Sequence, residues 1–177
     1  MKKKSLFKSA IFFKLIKFLI LIFLFIPEVF SSVKVSKNKK EIIASVERQK
    51  EKLIEISDKI WDAAETSLKE FKSSKLLADY AEENGFTVER GVANIPTAFT
   101  ATYGSGRPHI GIMGEFDANA GISQKRQPTK ETRIEGGAGH GRGHNLFGTA
   151  SLGAAIAIKE LIEKGEISGT VIFYGTP

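Results

Sequence analysis

The sequence predicts an α/β fold with a mixed sheet and flanking helices. Short segments of strand character occur at 87–90, 98–103, 109–115 and 170–174. Two segments with apolar residues at helical spacing precede them, and a third, rich in small residues, lies between the last two strands. A strand, a helix and a second strand in succession are typical of a parallel crossover, which occurs in α/β domains.

Residues 1–32 have the pattern of a targeting segment. The start is basic, and an apolar run at 18–26 ends at Pro27. Ser31 and Ser32 offer a small-residue cleavage site, so the pattern predicts a signal peptide. A retained N-terminal anchor is the alternative. Either predicts an exported (periplasmic or secreted) or membrane-anchored protein whose remaining residues, 33–177, form the catalytic-domain part of the chain.

The net charge of +6 is concentrated in this N-terminal segment. Residues 1–32 contain six lysines and one glutamate, so 20 basic and 19 acidic residues remain. The pI near 9.4 therefore does not indicate a nucleic-acid partner. The absence of cysteine excludes disulfides, thiol nucleophiles and thiolate ligands.

Two amphipathic helices are predicted before the strands. The first covers about 39–62, and its apolar residues recur amid Lys and Glu. The second covers about 68–83 and ends at Asn84-Gly85. Its predicted inward residues are Phe71, Leu76, Leu77 and Tyr80.

The strands that follow are short. Segments 98–103 and 109–115 are separated by Gly104-Ser105-Gly106, which predicts a hairpin turn between them. Segment 109–115 is apolar enough to be a central strand. Residues 118–138 lack periodicity and predict a long loop, and loops of that length are commonly functional.

A helix of small apolar residues is predicted from Asn145 to Lys164, with Asn145 as its N-cap. Gly165 ends it, and 170–174 is the last buried strand. Ligands in open α/β sheets bind beyond the carboxyl ends of the strands. The polar residues that follow segment 109–115 are therefore candidates for a functional site.

Four of these residues are candidate metal ligands or catalytic groups. Glu115 and Asp117 follow a predicted strand, while His140 and His144 lie in the glycine-rich segment before the next helix. The glycines at 139, 141 and 143 predict a loop here rather than a helix. Carboxylates and imidazoles that converge at one edge of a sheet are typical of a hydrolytic metal site.

Two other interpretations remain open. Asp117 could cap a turn, with the histidines only filling a glycine-rich loop. Alternatively, the glycines before the helix could form a phosphate-binding loop. This second alternative is weaker, because no strand leads directly into those glycines and no Gly-Lys-Ser/Thr is present.

Several motifs together resemble a known family over about residues 41–177. These motifs are Ile60-Trp61-Asp62, Gly85-Phe86-Thr87-Val88, Ile95-Pro96-Thr97-Ala98-Phe99, Gly114-Glu115-Phe116-Asp117-Ala118, Gly121-Ile122-Ser123-Gln124, the segment 139–148 and Phe173-Tyr174-Gly175-Thr176-Pro177. They resemble the N-terminal part of the zinc aminoacylase and carboxypeptidase-type amidohydrolases, in particular the aminobenzoyl-glutamate hydrolase branch. The resemblance implies a zinc-exopeptidase-like domain, incomplete in this chain.

The resemblance implies a two-domain, co-catalytic zinc enzyme that cleaves an amide bond beside a carboxylate-bearing residue. Its substrates would be N-acyl amino acids or dipeptide-like molecules. Asp117 would be the catalytic acidic residue that orients a ligand, His144 a metal ligand, and His140 a group beside the metal. Glu115 would be an accessory group.

Three departures from the family pattern affect the expected function. Arg142 replaces a cysteine ligand, and Asp117-Ala118-Asn119-Ala120-Gly121 replaces Asp-Ala-Leu-Pro-Gly. In the family a Glu-Glu pair, which supplies the base and a ligand, follows Gly-Thr-Pro. We therefore expect a truncated enzyme that binds zinc weakly and needs a separately encoded C-terminal remainder. The alternative is a decayed or non-catalytic chain with a binding or interaction role.

Overall fold

The computed structural model describes residues 35–177, and Ser36–Pro177 form one compact unit. The predicted signal peptide or anchor at residues 1–32 lies outside the described residues. The secondary-structure elements, in chain order, are α1 (Lys37–Ala63), α2 (Phe71–Glu83), β1 (Thr87–Arg90), a 3-10 turn (Val92–Asn94), β2 (Phe99–Ser105), β3 (His109–Glu115), α3 (His144–Glu163) and β4 (Gly169–Thr176). The predicted elements are therefore present, with ends shifted by at most three residues.

The four strands form one mixed sheet in the order β1-β2-β4-β3. β2 is antiparallel to both β1 and β4, while β3 and β4 are parallel and joined through α3. The predicted α/β class and parallel crossover are thus confirmed. The predicted hairpin between β2 and β3 is wrong, because β4 lies between them. The backbone N–H of Thr170 donates to the Pro108 carbonyl at 2.8 Å, which starts β4 beside β3.

Among the described residues, β3 is an edge strand and not the predicted central one. Its side chains Ile110 and Met113 are 47% and 52% exposed. An apolar composition indicated burial on both faces. Met113 pairs with Tyr174 on the face that the described helices leave uncovered, whereas Ile110 pairs with Val171 on the core face and is exposed because it lies at the edge of the sheet.

The core lies between that face of the sheet and the three helices. Phe99, Phe116 and Phe173 are fully buried, and Phe99 contacts each of the other two, with ring centroids 5.6–6.2 Å apart. Each helix also contributes buried apolar residues, which include Ile60, Leu77 and Leu152. Burial of such side chains is the main source of stability.

The helix–sheet contact is closest at two glycines. A Cβ on Gly148 of α3 would lie 2.7 Å from the carbonyl oxygen of Glu115, and one on Gly114 of β3 would lie 2.9 Å from the Cα of Gly148. Both distances are shorter than van der Waals contact. Only glycine therefore permits the N-terminal turns of α3 to lie this close to the end of β3.

The apolar spacing of the first two helices predicts burial only in part. Ile43 and Ile54 of α1 and Phe71 of α2 are about half exposed, although the spacing placed Phe71 inward. The side of α1 that packs inward instead includes the small or polar residues Ser45 and Gln49. Gln49 accepts a long hydrogen bond from the Tyr80 hydroxyl, with 3.4 Å between the oxygens.

Within residues 35–177, one helix, α3, has the length and apolar composition that a membrane-spanning helix needs. Half of the most apolar stretch of this helix is buried, and the helix packs on β3 and β4. The core helix of a soluble domain has the same properties.

Candidate metal centre

The end of β3 and the start of α3 bring two carboxylates and one imidazole together. Oδ1 of Asp117 lies 2.5 Å from Nδ1 of His144, and Oε2 of Glu115 lies 3.0 Å from Nε2 of the same ring. Among the described residues, these three form the one group whose ligand atoms all lie within 4.8 Å of one another. The predicted convergence of carboxylates and an imidazole is therefore present in the structure.

A glycine, and not the predicted Asn145, caps α3. Gly143 has φ of 75°, in the left-handed region, and its position lets the helix begin directly with His144. Asn145 is buried inside the first turn, where its side-chain amide donates to the Ser57 hydroxyl at 3.0 Å. This contact fixes the first turn of α3 against α1, and so fixes the position of His144.

The contacts of His144 fit a bound metal ion. A neutral imidazole carries one N–H and can donate to only one of its two carboxylate neighbours. If Nδ1–H donates to Asp117, the lone pair on Nε2 faces Glu115, and a cation between them satisfies both groups. Two ligand atoms of a tetrahedral zinc site are about 3.4 Å apart, which is near the 3.0 Å between Nε2 and Oε2.

His140 lies beside this group but outside it. Its Nε2–H donates to the backbone carbonyl of Ile60 at 3.1 Å. Its Nδ1 is buried and has no hydrogen-bond partner among the described residues. A histidine whose N–H is fixed by a backbone carbonyl presents a free lone pair on the other nitrogen, as metal-binding histidines do. The geometry therefore leaves His140 able to act as a further ligand.

Burial lowers the pKa of His140, although its hydrogen bond to Ile60 and the charge of Asp117 oppose the shift. The unfolded chain therefore binds a proton at this histidine more readily than the folded chain does. As a result, the contribution of His140 to the free energy of unfolding is larger at a pH above about 6.5 than below it. We expect this contribution to be lost as the pH falls from about 6.5 to the lowered pKa.

The measurement is urea unfolding of the metal-free protein and of His140→Gln at about pH 7.5 and about pH 5.5. The wild type should lose more stability than the variant over that interval. Identical losses in the two proteins would contradict the expected contribution of His140.

Arg142 lies in the turn between His140 and His144. The backbone N–H of Gly143 closes this turn by donating to the His140 carbonyl at 3.1 Å. The Arg142 side chain is exposed and forms no ion pair within residues 35–177. Its guanidinium carries a permanent charge and has no lone pair. It therefore cannot replace a cysteine as a metal ligand.

The loop at 118–138 is fixed to the end of α1 by contacts that the sequence did not predict. The guanidinium groups of Arg126 and Arg133 lie 4.2 Å and 4.8 Å from the ring centre of Trp61. Arg126 also pairs with Asp58 at 2.8 Å, and Arg133 pairs with Asp62 at 3.0 Å. The isolated tryptophan and the two loop arginines were visible in the sequence, but their proximity depends on the tertiary fold.

Comparison with known proteins identifies relatives of this chain, although no family model matches it. Over 136 residues, 75% of the chain, it is 48% identical to a p-aminobenzoyl-glutamate hydrolase subunit of Escherichia coli K12. The match covers 28% of that relative. The chain thus spans little more than a quarter of the length of the curated relative.

Two solved structures share the fold. One, described as an aminohydrolase of methicillin-resistant Staphylococcus aureus, has a TM-score of 0.64 and 24% identity over 78% of this chain and 34% of its own. The other is the Bacillus subtilis YxeP protein, described as a dinuclear metal-binding peptidase of the M20 family. Its TM-score is 0.59, with 24% identity over 76% of this chain and 35% of its own.

The mixed sheet with its helices is therefore the fold of M20-type peptidases. The sequence match is more specific, and the chain belongs to the amidohydrolase family that includes this p-aminobenzoyl-glutamate hydrolase. The family predicted from the sequence motifs is thus confirmed. The individual roles of Asp117, His144, His140 and Glu115 stay predictions.

Proposed function

We propose that this chain is the metal-binding part of a zinc-dependent amidohydrolase that cleaves N-acyl amino acids of the aminobenzoyl-glutamate type. The observation that carries the proposal is the position of His144 between the carboxylates of Asp117 and Glu115. The relation to a p-aminobenzoyl-glutamate hydrolase supports the substrate class. A dinuclear metal-binding peptidase among the structural neighbours supports the metal.

The proposed roles follow from the hydrogen bonds. Asp117 accepts from Nδ1–H of His144 and so holds the ring in the tautomer that leaves Nε2 free. Nε2 of His144 and the carboxylate of Glu115 hold the metal, and Nδ1 of His140 is available as a further ligand. Zinc in such a site supplies an activated water and polarises the substrate carbonyl.

We also propose that this chain associates with another subunit, since its relative is described as a subunit of a hydrolase. Within residues 35–177, one edge of β3 has no neighbouring strand. Met113 and Tyr174 are adjacent on the sheet face that the described helices leave uncovered, and they are 52% and 41% exposed. Apolar surface at an open sheet edge favours association with another chain.

The first experiment measures zinc binding by calorimetry in the chain and in His144→Ala. The variant should bind zinc at least about tenfold more weakly, because an essential ligand is missing. Equal affinities would contradict the proposed metal centre. Failure of both proteins to bind zinc would favour the alternative of a non-catalytic binding piece.

The second experiment measures release of glutamate from 4-aminobenzoyl-glutamate by the chain with added zinc. We expect no release above the blank, since a hydrolytic site needs a base beside the metal-bound water. The two described carboxylates at His144 are already engaged in the proposed roles, Glu115 as a ligand and Asp117 as the acceptor of the ring N–H. Zinc-dependent turnover by residues 1–177 alone would contradict the proposed roles of Glu115 and Asp117.

A further inference from the structure

Glu65 lies in the connection between α1 and α2, and its side chain caps α2. The N-cap residue of that helix, Glu70, forms no capping hydrogen bond with its own side chain. Instead, the backbone N–H and the hydroxyl of Ser73 both donate to Oε2 of Glu65 at 2.9 Å. The N–H of Lys72 lies 3.1 Å from both oxygens of the same carboxylate. A carboxylate here satisfies unpaired N–H groups and is favoured by the helix dipole.

The backbone of the same residue contacts the segment that follows β3. The N–H of Ala118 donates to the Glu65 carbonyl at 2.7 Å, and Thr66 forms a parallel bridge with Ala118. Ala118 is buried and directly follows Asp117. Phe116, on the other side of Asp117, is buried in the core. The backbone of Asp117 is therefore held on both sides, and Glu65 provides one of the two points of contact.

The connection between α1 and α2 has a strained backbone that needs such an anchor. Ala64 and Leu68 have φ of 43° and 66°, in the left-handed region that residues with a Cβ rarely adopt. Strained conformations of this kind persist only where surrounding contacts hold them. Glu65 directly follows Ala64, and its side chain ties the connection to α2. That helix is itself fixed in the core by the buried side chains of Leu77 and Ala81.

We propose that Glu65 is a positioning residue of the candidate metal centre, which orients Asp117 and, through Asp117, the ring of His144. Oδ1 of Asp117 lies 2.5 Å from Nδ1 of His144, which is a short hydrogen bond that a small displacement of Asp117 would weaken. Without its carboxylate, Glu65 no longer ties the connection to α2, and its carbonyl no longer holds Ala118 in place. The inference rests on the proposed function for the role of Asp117, but the contacts that carry it involve no metal.

The test observes the His144 ring by NMR in the metal-free full chain, with a chelator present and the histidines isotopically labelled. The proton on Nδ1 of His144 should give a signal at low field, because a short hydrogen bond to a carboxylate deshields it. The chain has three histidines, and loss of this signal in His144→Gln assigns it.

Variants of Glu65 are then compared with a helix cap elsewhere. Glu65→Ala should abolish the low-field signal. Glu65→Gln should retain it, because a glutamine oxygen in the place of Oε2 still accepts from Ser73. Ser36→Ala is the matched control, since Ser36 caps the start of α1 by accepting from the N–H of Lys39 at 3.3 Å. The loss of this cap should lower stability and leave the signal unchanged.

Circular dichroism first shows which variants fold. If Glu65→Ala does not fold, Glu65→Asp decides, because its shorter side chain cannot keep all the contacts with α2, and its signal should move away from the wild-type position. An unchanged signal in the deciding variant, loss of the signal in Ser36→Ala as well, or no low-field signal in the wild type would overturn the proposal. A chain that fails to bind zinc can still show the expected differences, so failure of the proposed function is distinguished from failure of this inference.

Discussion

Replacement of Arg142 by cysteine is expected to tighten zinc binding by between about tenfold and about a thousandfold. A guanidinium at 4 Å from one uncompensated unit of metal charge costs about 4 kcal/mol at an effective dielectric constant near 20, which corresponds to the upper limit. The Arg142 side chain is exposed and can turn toward water, where screening reduces this repulsion. The added thiolate ligand then accounts for the lower limit.

Arg142→Ser is the matched control, since it removes the charge without adding a ligand. Calorimetric zinc titrations of all three proteins at neutral pH, after each is shown to fold, separate the two contributions. The serine variant should lie between the other two. Equal affinities in all three would mean that position 142 does not face the metal.

Gly148→Ala is expected to lower the free energy of unfolding by about 1–2 kcal/mol, although alanine is the better helix former. The new Cβ would lie 2.7 Å from the Glu115 carbonyl oxygen, a backbone atom that cannot move independently of β3. The start of α3 would have to move away from the strand. Zinc affinity should fall as well, because His144 is one helical turn before Gly148.

Gly153→Ala in the same helix is the control. Its Cβ would lie 2.8 Å from the end of the Leu53 side chain, which can rotate away. The gain in helix propensity, about 1 kcal/mol at most, should therefore remain. Urea unfolding of both variants is the measurement. A Gly148→Ala protein as stable as Gly153→Ala would show that the glycine contact does not constrain the helix.

The sequence predicted the helices and strands well. It also predicted the pairing of two strands distant in sequence where a single helix connects them. The β3-α3-β4 crossover follows from the order of two strands around one helix, and it places Glu115 near His144. The Gly104–Gly106 turn looked like a hairpin because local turn signals contain no information about β4, which pairs with both strands more than 60 residues later.

Side-chain partners within the site were less predictable. The two histidines differ only through tertiary contacts, since His140 donates to the Ile60 carbonyl while His144 meets both carboxylates. Asn145 had the residue type of an N-cap, yet Ser57 of α1 provides a buried partner for its amide. Such partners come from elements far apart in the chain, so helix spacing alone does not indicate them.

The long loop between the end of β3 and the start of α3 also has a consequence for protease resistance. A metal bound jointly by Glu115 and His144 would cross-link the two ends of a segment of about 30 residues. By analogy with a disulfide, such a cross-link reduces the entropy of the unfolded chain by an amount equivalent to about 3–4 kcal/mol. Proteolysis through global unfolding, and the melting temperature of the domain, would then both depend on the zinc concentration.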